Sequence, residues 1–186
     1  MQNDIIRRFH AALPKVRQWI DQLLEAYADR ARPVFSLGYK QLSTCFPQEL
    51  LERAKVVTMK RVPFPPVAQF GLPELAHMQQ RLFDGIAYKN TLFLRQDRTS
   101  EALCFHELVH VVQWSRLGED NFLLAYGFGL LRFDYDLSPL EMMASSLQQH
   151  FKLGTLPREL VRVIEDRTDA IWNQAAPFVQ AGHDNG

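Results

Sequence analysis

The sequence predicts an α+β fold, mostly helical, with a small sheet or hairpin bordering one apolar helix. Three observations carry that expectation. Apolar residues recur at three- and four-residue steps towards both ends of the chain, which is a helical period. Residues 55–62 and 83–95 are instead rich in β-branched residues or alternate apolar with polar. The order is therefore helices, a few strands, then helices, rather than a repeating strand–helix–strand pattern.

Each element has its own signal. Ile5, Phe9, Val16, Ile20 and Leu23 line one face of an N-terminal helix. Pro14 falls inside it. A mid-helix proline loses a hydrogen bond and clashes with the preceding turn, so the helix should split or kink there, with Pro14 opening a second one. Pro47 opens another short helix to Ala54. Lys55 to Val62 (KVVTMKRV) reads as a strand that ends at the Pro63, Pro65, Pro66 cluster. From there to about Gln80 the chain reads as irregular, with one helical turn. Phe83 to Arg95 holds two short apolar runs around Lys89-Asn90, the pattern of a hairpin. Thr99 or Ser100 then caps a helix to about Leu117, with Glu101 at its positive start and Gly118 as its stop. Further helices are expected over 121–131, 138–154 and 157–176, and the tail 181–186 should be disordered.

At 186 residues the chain fits one domain, or one domain with a helical appendage, better than two. Its 21 basic and 21 acidic residues cancel and form no basic stripe, which argues against a nucleic-acid partner. No apolar run approaches the roughly eighteen residues of a membrane span. The opening segment lacks the unbroken apolar core and cleavage site of a secretory signal. The expected location is the cytoplasm. Cys45 and Cys104 are too few and too scattered for a disulfide framework, and Cys104 reads as a small core residue.

Residues 106–110 read His-Glu-Leu-Val-His. On a helix, positions i and i+4 share a face about 6 Å apart, near enough for both imidazoles to bind one ion. Glu107 points to the side of that face, where it can reach a water on the ion rather than the ion itself. Two ligands and a general base are what this spacing supplies. Leu103, Leu108, Val109, Val111, Val112 and Trp114 surround the motif with apolar side chains. The plain alternative is a helix carrying two surface histidines. Two imidazoles, a carboxylate and an open water position suit zinc over calcium or magnesium. The third ligand must come from downstream, because Val111-Val112-Gln113-Trp114 excludes a His-x-x-Gly-x-x-His continuation. Glu141 is the leading candidate. Its competing reading is a capping box, Ser138-x-x-Glu141, in which the glutamate reaches back to the cap's backbone amide. Asp134, Asp136 and His150 are poorer candidates.

The stretch Phe105-His106-Glu107-Leu108-Val109-His110-Val111-Val112-Gln113-Trp114, followed by Tyr135, Ser138-Pro139-Leu140-Glu141 and Ala144, resembles the bacterial zincin-like domains of the gluzincin type. These include many uncharacterised domains and the metallopeptidase-like core domains of contractile-injection toxins. The resemblance covers roughly residues 85–152 and leaves the N-terminal helices unexplained. The expected organisation is a zincin-like metal-binding domain at 55–180, packed with an N-terminal helical region at 1–54 into one compact unit. The resemblance implies His106, His110 and Glu141 as zinc ligands and Glu107 as base, with the hairpin supplying the edge strand that borders the cleft. The implied activity is a zinc-dependent metallopeptidase that hydrolyses a peptide or amide bond in a peptide or protein. Glu107 would take the proton of the water on the ion and pass it to the leaving amine. Tyr135 is the expected oxyanion donor, ahead of Tyr126 and Arg132. Thermolysin-like members carry an aspartate four residues after the glutamate ligand, orienting a metal histidine; here that position is Ser145. The departure keeps open a zincin-fold binding or structural module with little or no hydrolysis. A metal-free, all-helical interaction domain is a third reading.

Overall fold

The apolar stripe of the first segment winds into one helix, α1 (Gln2–Ala26), in the structure, a computed structural model that describes residues 2–180. Contrary to expectation, Pro14 neither ends the helix nor opens a second one. A mid-helix proline costs about 3 kcal/mol. Phe9, Leu13, Val16 and Ile20 on that face are all buried, and at about 1.5–3 kcal/mol for each large side chain their burial outweighs it.

A short 3-10 turn leads to β1 (Arg32–Pro33), a strand too brief to show in the sequence pattern. It pairs antiparallel with β2 at the edge of the sheet, where a proline is tolerated. The short helices α2 (Lys40–Cys45) and α3 (Gln48–Arg53) follow, the second opened by Pro47 as expected. β2 (Lys55–Met59) begins at the expected residue and ends before Val62, its last carbonyl accepting the Gln96 amide at 2.9 Å. The segment after the proline cluster forms a longer 3-10 helix (Pro73–Gln80) than the single turn expected.

β3 (Gly85–Tyr88) and β4 (Thr91–Arg95) form the expected hairpin, with Lys89 at φ +55° in the tight turn. β4 also pairs in parallel with β2, from Lys55 opposite Thr91 to Met59 opposite Arg95. The result is a mixed four-stranded sheet, ordered β1-β2-β4-β3. Every residue of the central strand β4 is buried, which accounts for its unbroken run Leu92-Phe93-Leu94.

α4 (Glu101–Phe133) packs on β3 and β4. Ser100 caps it, its hydroxyl accepting the Leu103 N–H at 3.2 Å. Gly118, at φ +73°, interrupts the helix and divides it into limbs 101–117 and 119–133, so the expected stop is a sharp turn between two limbs. α5 (Pro139–Leu153) ends at Gly154 as expected. α6 (Leu160–Gln180) starts later than Pro157 and runs on through Pro177. Val179 in its last turn is buried, and the Val179 carbonyl lies 2.6 Å from His10 Nε2, so α6 is held against α1.

The fold is thus α+β and mostly helical. One contiguous core draws on α1, the sheet and α4 to α6, and β1 carries the N-terminal region into the same sheet as the remainder. The tail 181–186 lies outside the described residues. No helix among the described residues is long and apolar enough to cross a membrane. Cys45 and Cys104 are free thiols, and burial pushes Cys104 up to about 12, as befits a core residue.

Candidate metal centre

The first limb of α4 sets His106 and His110 one turn apart on the same face, with their Nε2 atoms 3.2 Å from each other. α5 packs along α4, and its first turn delivers Glu141 to the same point. Glu141 Oε2 lies 3.3 Å from His106 Nε2, and Oε1 lies 3.2 Å from His110 Nε2. His106, His110 and Glu141 are 8%, 4% and 3% exposed. Among the described residues they form a group whose ligand atoms all fall within 4.8 Å of one another. The spacings are long for charge-assisted contacts, which favour about 2.7–2.9 Å. The separation of the two Nε2 atoms is close to the edge, about 3.3–3.4 Å, of a tetrahedron built on metal–ligand bonds of about 2.0–2.1 Å, while the carboxylate meets the two imidazoles through different oxygens. Two imidazoles and a carboxylate at these separations fit one metal ion.

Supporting contacts hold this geometry. Gln113, fully buried, faces His110 with its Oε1 2.7 Å from Nδ1, and donates from Nε2 to the Leu140 carbonyl at 3.3 Å. Because Leu140 offers only an acceptor, the amide orientation is set. Nδ1 of His110 must carry a proton, so in the neutral ring Nε2 is the lone-pair donor. The same side chain clamps α5 to α4 one residue before Glu141. On the other side, the Tyr126 hydroxyl donates to Glu141 Oε1 at 2.5 Å. Tyr126 belongs to the second limb of α4 and stacks on Phe122, which stacks on Trp114 of the first limb.

Charge follows contact. Burial opposes an imidazolium at His110, but the charge and hydrogen bond of Glu141 outweigh it and push the pKa up to about 9. Burial also raises the Glu141 carboxyl, yet His110 and His106 hold it well below the usual carboxylate range. Burial wins at Glu107, which is raised; Glu141 adds to the effect, while the two histidines and the Ala87 amide oppose it.

Glu107 is 2% exposed and rests against edge strand β3. A Cβ on Gly85 would lie 2.6 Å from Glu107 Oε1, so glycine is what lets the carboxylate rest against the strand. Trp114 of the same helix donates to the Ala87 carbonyl at 3.1 Å, tying α4 to the same strand. Glu107 Oε2 is buried with no hydrogen-bond partner among the described residues. Gly85, Glu107 and Tyr135 border two spaces: an outer cleft of about 250 Å³ that also takes in Arg81, Asp84 and His106, and a narrow inner cavity of about 80 Å³ with apolar walls.

The two histidines, Glu107 and Glu141 thus come together as the sequence suggests. Tyr135 stands beside them, packed between Phe83 and the Arg81 guanidinium, 4.1 Å over its ring. Its pKa is raised by burial and by the Glu141 charge. Tyr126, the weaker candidate, is the one whose hydroxyl donates to Glu141 Oε1, at 2.5 Å. Arg132 is exposed and outside the cluster. The capping box is not formed: Ser138 makes no side-chain cap bond, its Oγ is buried without a partner among the described residues, and the Glu141 carboxylate turns to the histidines. Asp134 pairs with His77, Asp136 with Arg81, and His150 with Thr155, so none competes as a ligand. Ser145 is exposed, and Gln113 does the orienting that Ser145 cannot. Sequence reasoning missed that role, although a glutamine three residues after His110 in an otherwise apolar run was visible. No family model matches the chain, and neither a curated protein nor a solved structure matches it.

Proposed function

We propose that this protein is a zinc-dependent hydrolase of the zincin type, metallopeptidase-like in its chemistry, with His106, His110 and Glu141 as ligands and Glu107 as base. One observation carries the reading: Glu107 Oε2 is buried with no partner among the described residues, on the helix that carries His106 and His110, which with Glu141 form a group that could hold a metal ion. A purely structural site needs the three donors. It has no use for a desolvated carboxylate oxygen, which costs free energy unless it is bonded. The donor set suits zinc, and the sequence resemblance to gluzincin-type domains points the same way.

A zinc ion held there would polarise the substrate carbonyl and acidify a water. Glu107, with Oε1 resting on the edge strand, can accept a proton at Oε2 and return it to the departing amine. Tyr135, which borders both cleft and cavity, is the candidate donor to the developing oxyanion. The substrate would be a peptide or amide reaching the site through the outer cleft. The near-complete burial of the site favours a second reading, a metal-stabilised module with little hydrolysis. Protein purified without added zinc should carry about one zinc per chain, and wild type should cleave members of a peptide library. A zinc content near zero that reconstitution cannot raise refutes the first claim. Inertness of the zinc-loaded wild type selects the second reading.

A further inference from the structure

The second limb of α4 packs on α6, yet the two leave a groove of about 360 Å³ that none of the candidate ligands lines. Both walls follow from helical spacing. Ala125, Phe128 and Arg132 fall at three- and four-residue steps on the limb, as do Ile171, Gln174 and Phe178 on α6. Phe128 and Phe178 stack across the groove with ring centroids 5.6 Å apart, while Gly129 and Ala175 carry too little side chain to fill it. Phe133 and Phe178, in the same lining, are 45% and 54% exposed. Contiguous apolar surface of this kind marks a place where something binds. One charge stands in this apolar setting. Arg132 is exposed and has no hydrogen-bond or ion-pair partner among the described residues, and no acidic side chain lines the groove.

Size decides the kind of occupant. A stable protein interface takes about 800 Å² from each partner, whereas two half-exposed phenylalanines offer about 200 Å² between them. Small-molecule sites begin at about 300 Å³ and combine apolar walls with a few polar groups. The groove meets that description, with Arg132 and Gln174 as its polar pair. Charge decides the rest, because a guanidinium among apolar walls matches a carboxylate and repels a cation. We infer that this groove binds a small aliphatic carboxylate, its chain against Phe128, Phe133 and Phe178 and its head group on Arg132. The inference lies outside the hydrolase reading and does not need the metal.

The test measures binding of octanoate, butyrate and octylamine to the full chain by equilibrium dialysis, with and without zinc. Octanoate should occupy one site per chain, at least about tenfold more tightly than butyrate, which lacks the apolar length. It should exceed octylamine, which inverts the head-group charge, by about tenfold or more. Phe178→Ala should weaken octanoate and octylamine alike, by about fivefold or more, and leave their order unchanged. Arg132→Glu should reverse that order, and Arg132→Lys should keep it. Both side chains are exposed, so the variants should fold, and circular dichroism checks that they do. No octanoate binding, or equal affinities for all three probes, overturns the inference. So does a preference that Arg132→Glu leaves in place. Binding that appears only with zinc assigns the carboxylate to the metal centre instead. A dimer that Phe178→Ala dissolves, in a chain that takes up no octanoate, gives the groove to a second copy and equally overturns the assignment.

Discussion

Replacing Gln113 by leucine tests whether one side chain both orients a ligand and locks two helices. Leucine has a similar volume and leaves the packing nearly intact, so the change removes polar contacts rather than bulk. Two buried bonds disappear, the 2.7 Å contact with His110 Nδ1 and the longer 3.3 Å donation to the Leu140 carbonyl, together with a weak 3.8 Å contact to the Met143 sulfur. Each leaves a partner unsatisfied at about 1–3 kcal/mol, and the long one belongs at the low end, so unfolding stability should fall by about 2–4 kcal/mol. Zinc affinity should fall by about 10–100-fold, because His110 is no longer held in the tautomer and orientation that present Nε2. Competition against a chromophoric chelator measures the affinity, and urea unfolding measures the stability. Gln113→Glu separates the two functions. Its carboxylate still accepts from Nδ1–H but cannot donate to Leu140, so zinc affinity should survive. A folded Gln113→Leu protein that binds zinc as tightly as wild type would refute the reasoning.

Three further substitutions divide the site by role. Glu141→Gln should lower zinc content sharply, since a neutral amide is a poor ligand; unchanged metal analysis would remove Glu141 from the ligand set. Glu107→Gln should retain zinc while hydrolysis of any substrate peptide falls by orders of magnitude, and loss of metal in that variant would contradict its assignment as base. Gly85→Ala puts a methyl 2.6 Å from Glu107 Oε1. The carboxylate must shift, so turnover should drop about tenfold or more with zinc content unchanged, given how strongly catalysis depends on placement; unaltered kinetics would mean that the seating of Glu107 does not matter.

Local patterns were readable and tertiary ones were not. The hairpin, the Ser100 cap and the His106–His110 pair each depend on residues within a few positions of one another, so the sequence shows them directly. Glu141 was ambiguous because Ser138 stands three residues before it, and two chemistries share that spacing. The decision comes from α5 packing on α4, which no local pattern contains. Tyr126 was undervalued for the same reason: it reaches Glu141 because Gly118 folds the second limb back, with the Trp114–Phe122–Tyr126 stack carried across the turn. Pro14 was read as a break, and burial around it overrode propensity. β1 is two residues long, and its identity as a strand exists only in its register with β2.

The placement of β4 between β2 and β3 bears on the order of assembly. Its hairpin with β3 closes over a two-residue turn and belongs to the microsecond class of folding events. Its pairing with β2 spans the whole proline-rich segment and must await a much larger loop closure. All three candidate ligands, by contrast, come from two helices consecutive in the chain, α4 and α5. Ion capture therefore requires only a local helical pair. Glu107 gains its partner, the Ala87 amide, only when that pair docks on the finished hairpin. Under the proposed function, the centre would be loaded before it is armed, and a chain stalled between the two stages would hold metal without the means to use it.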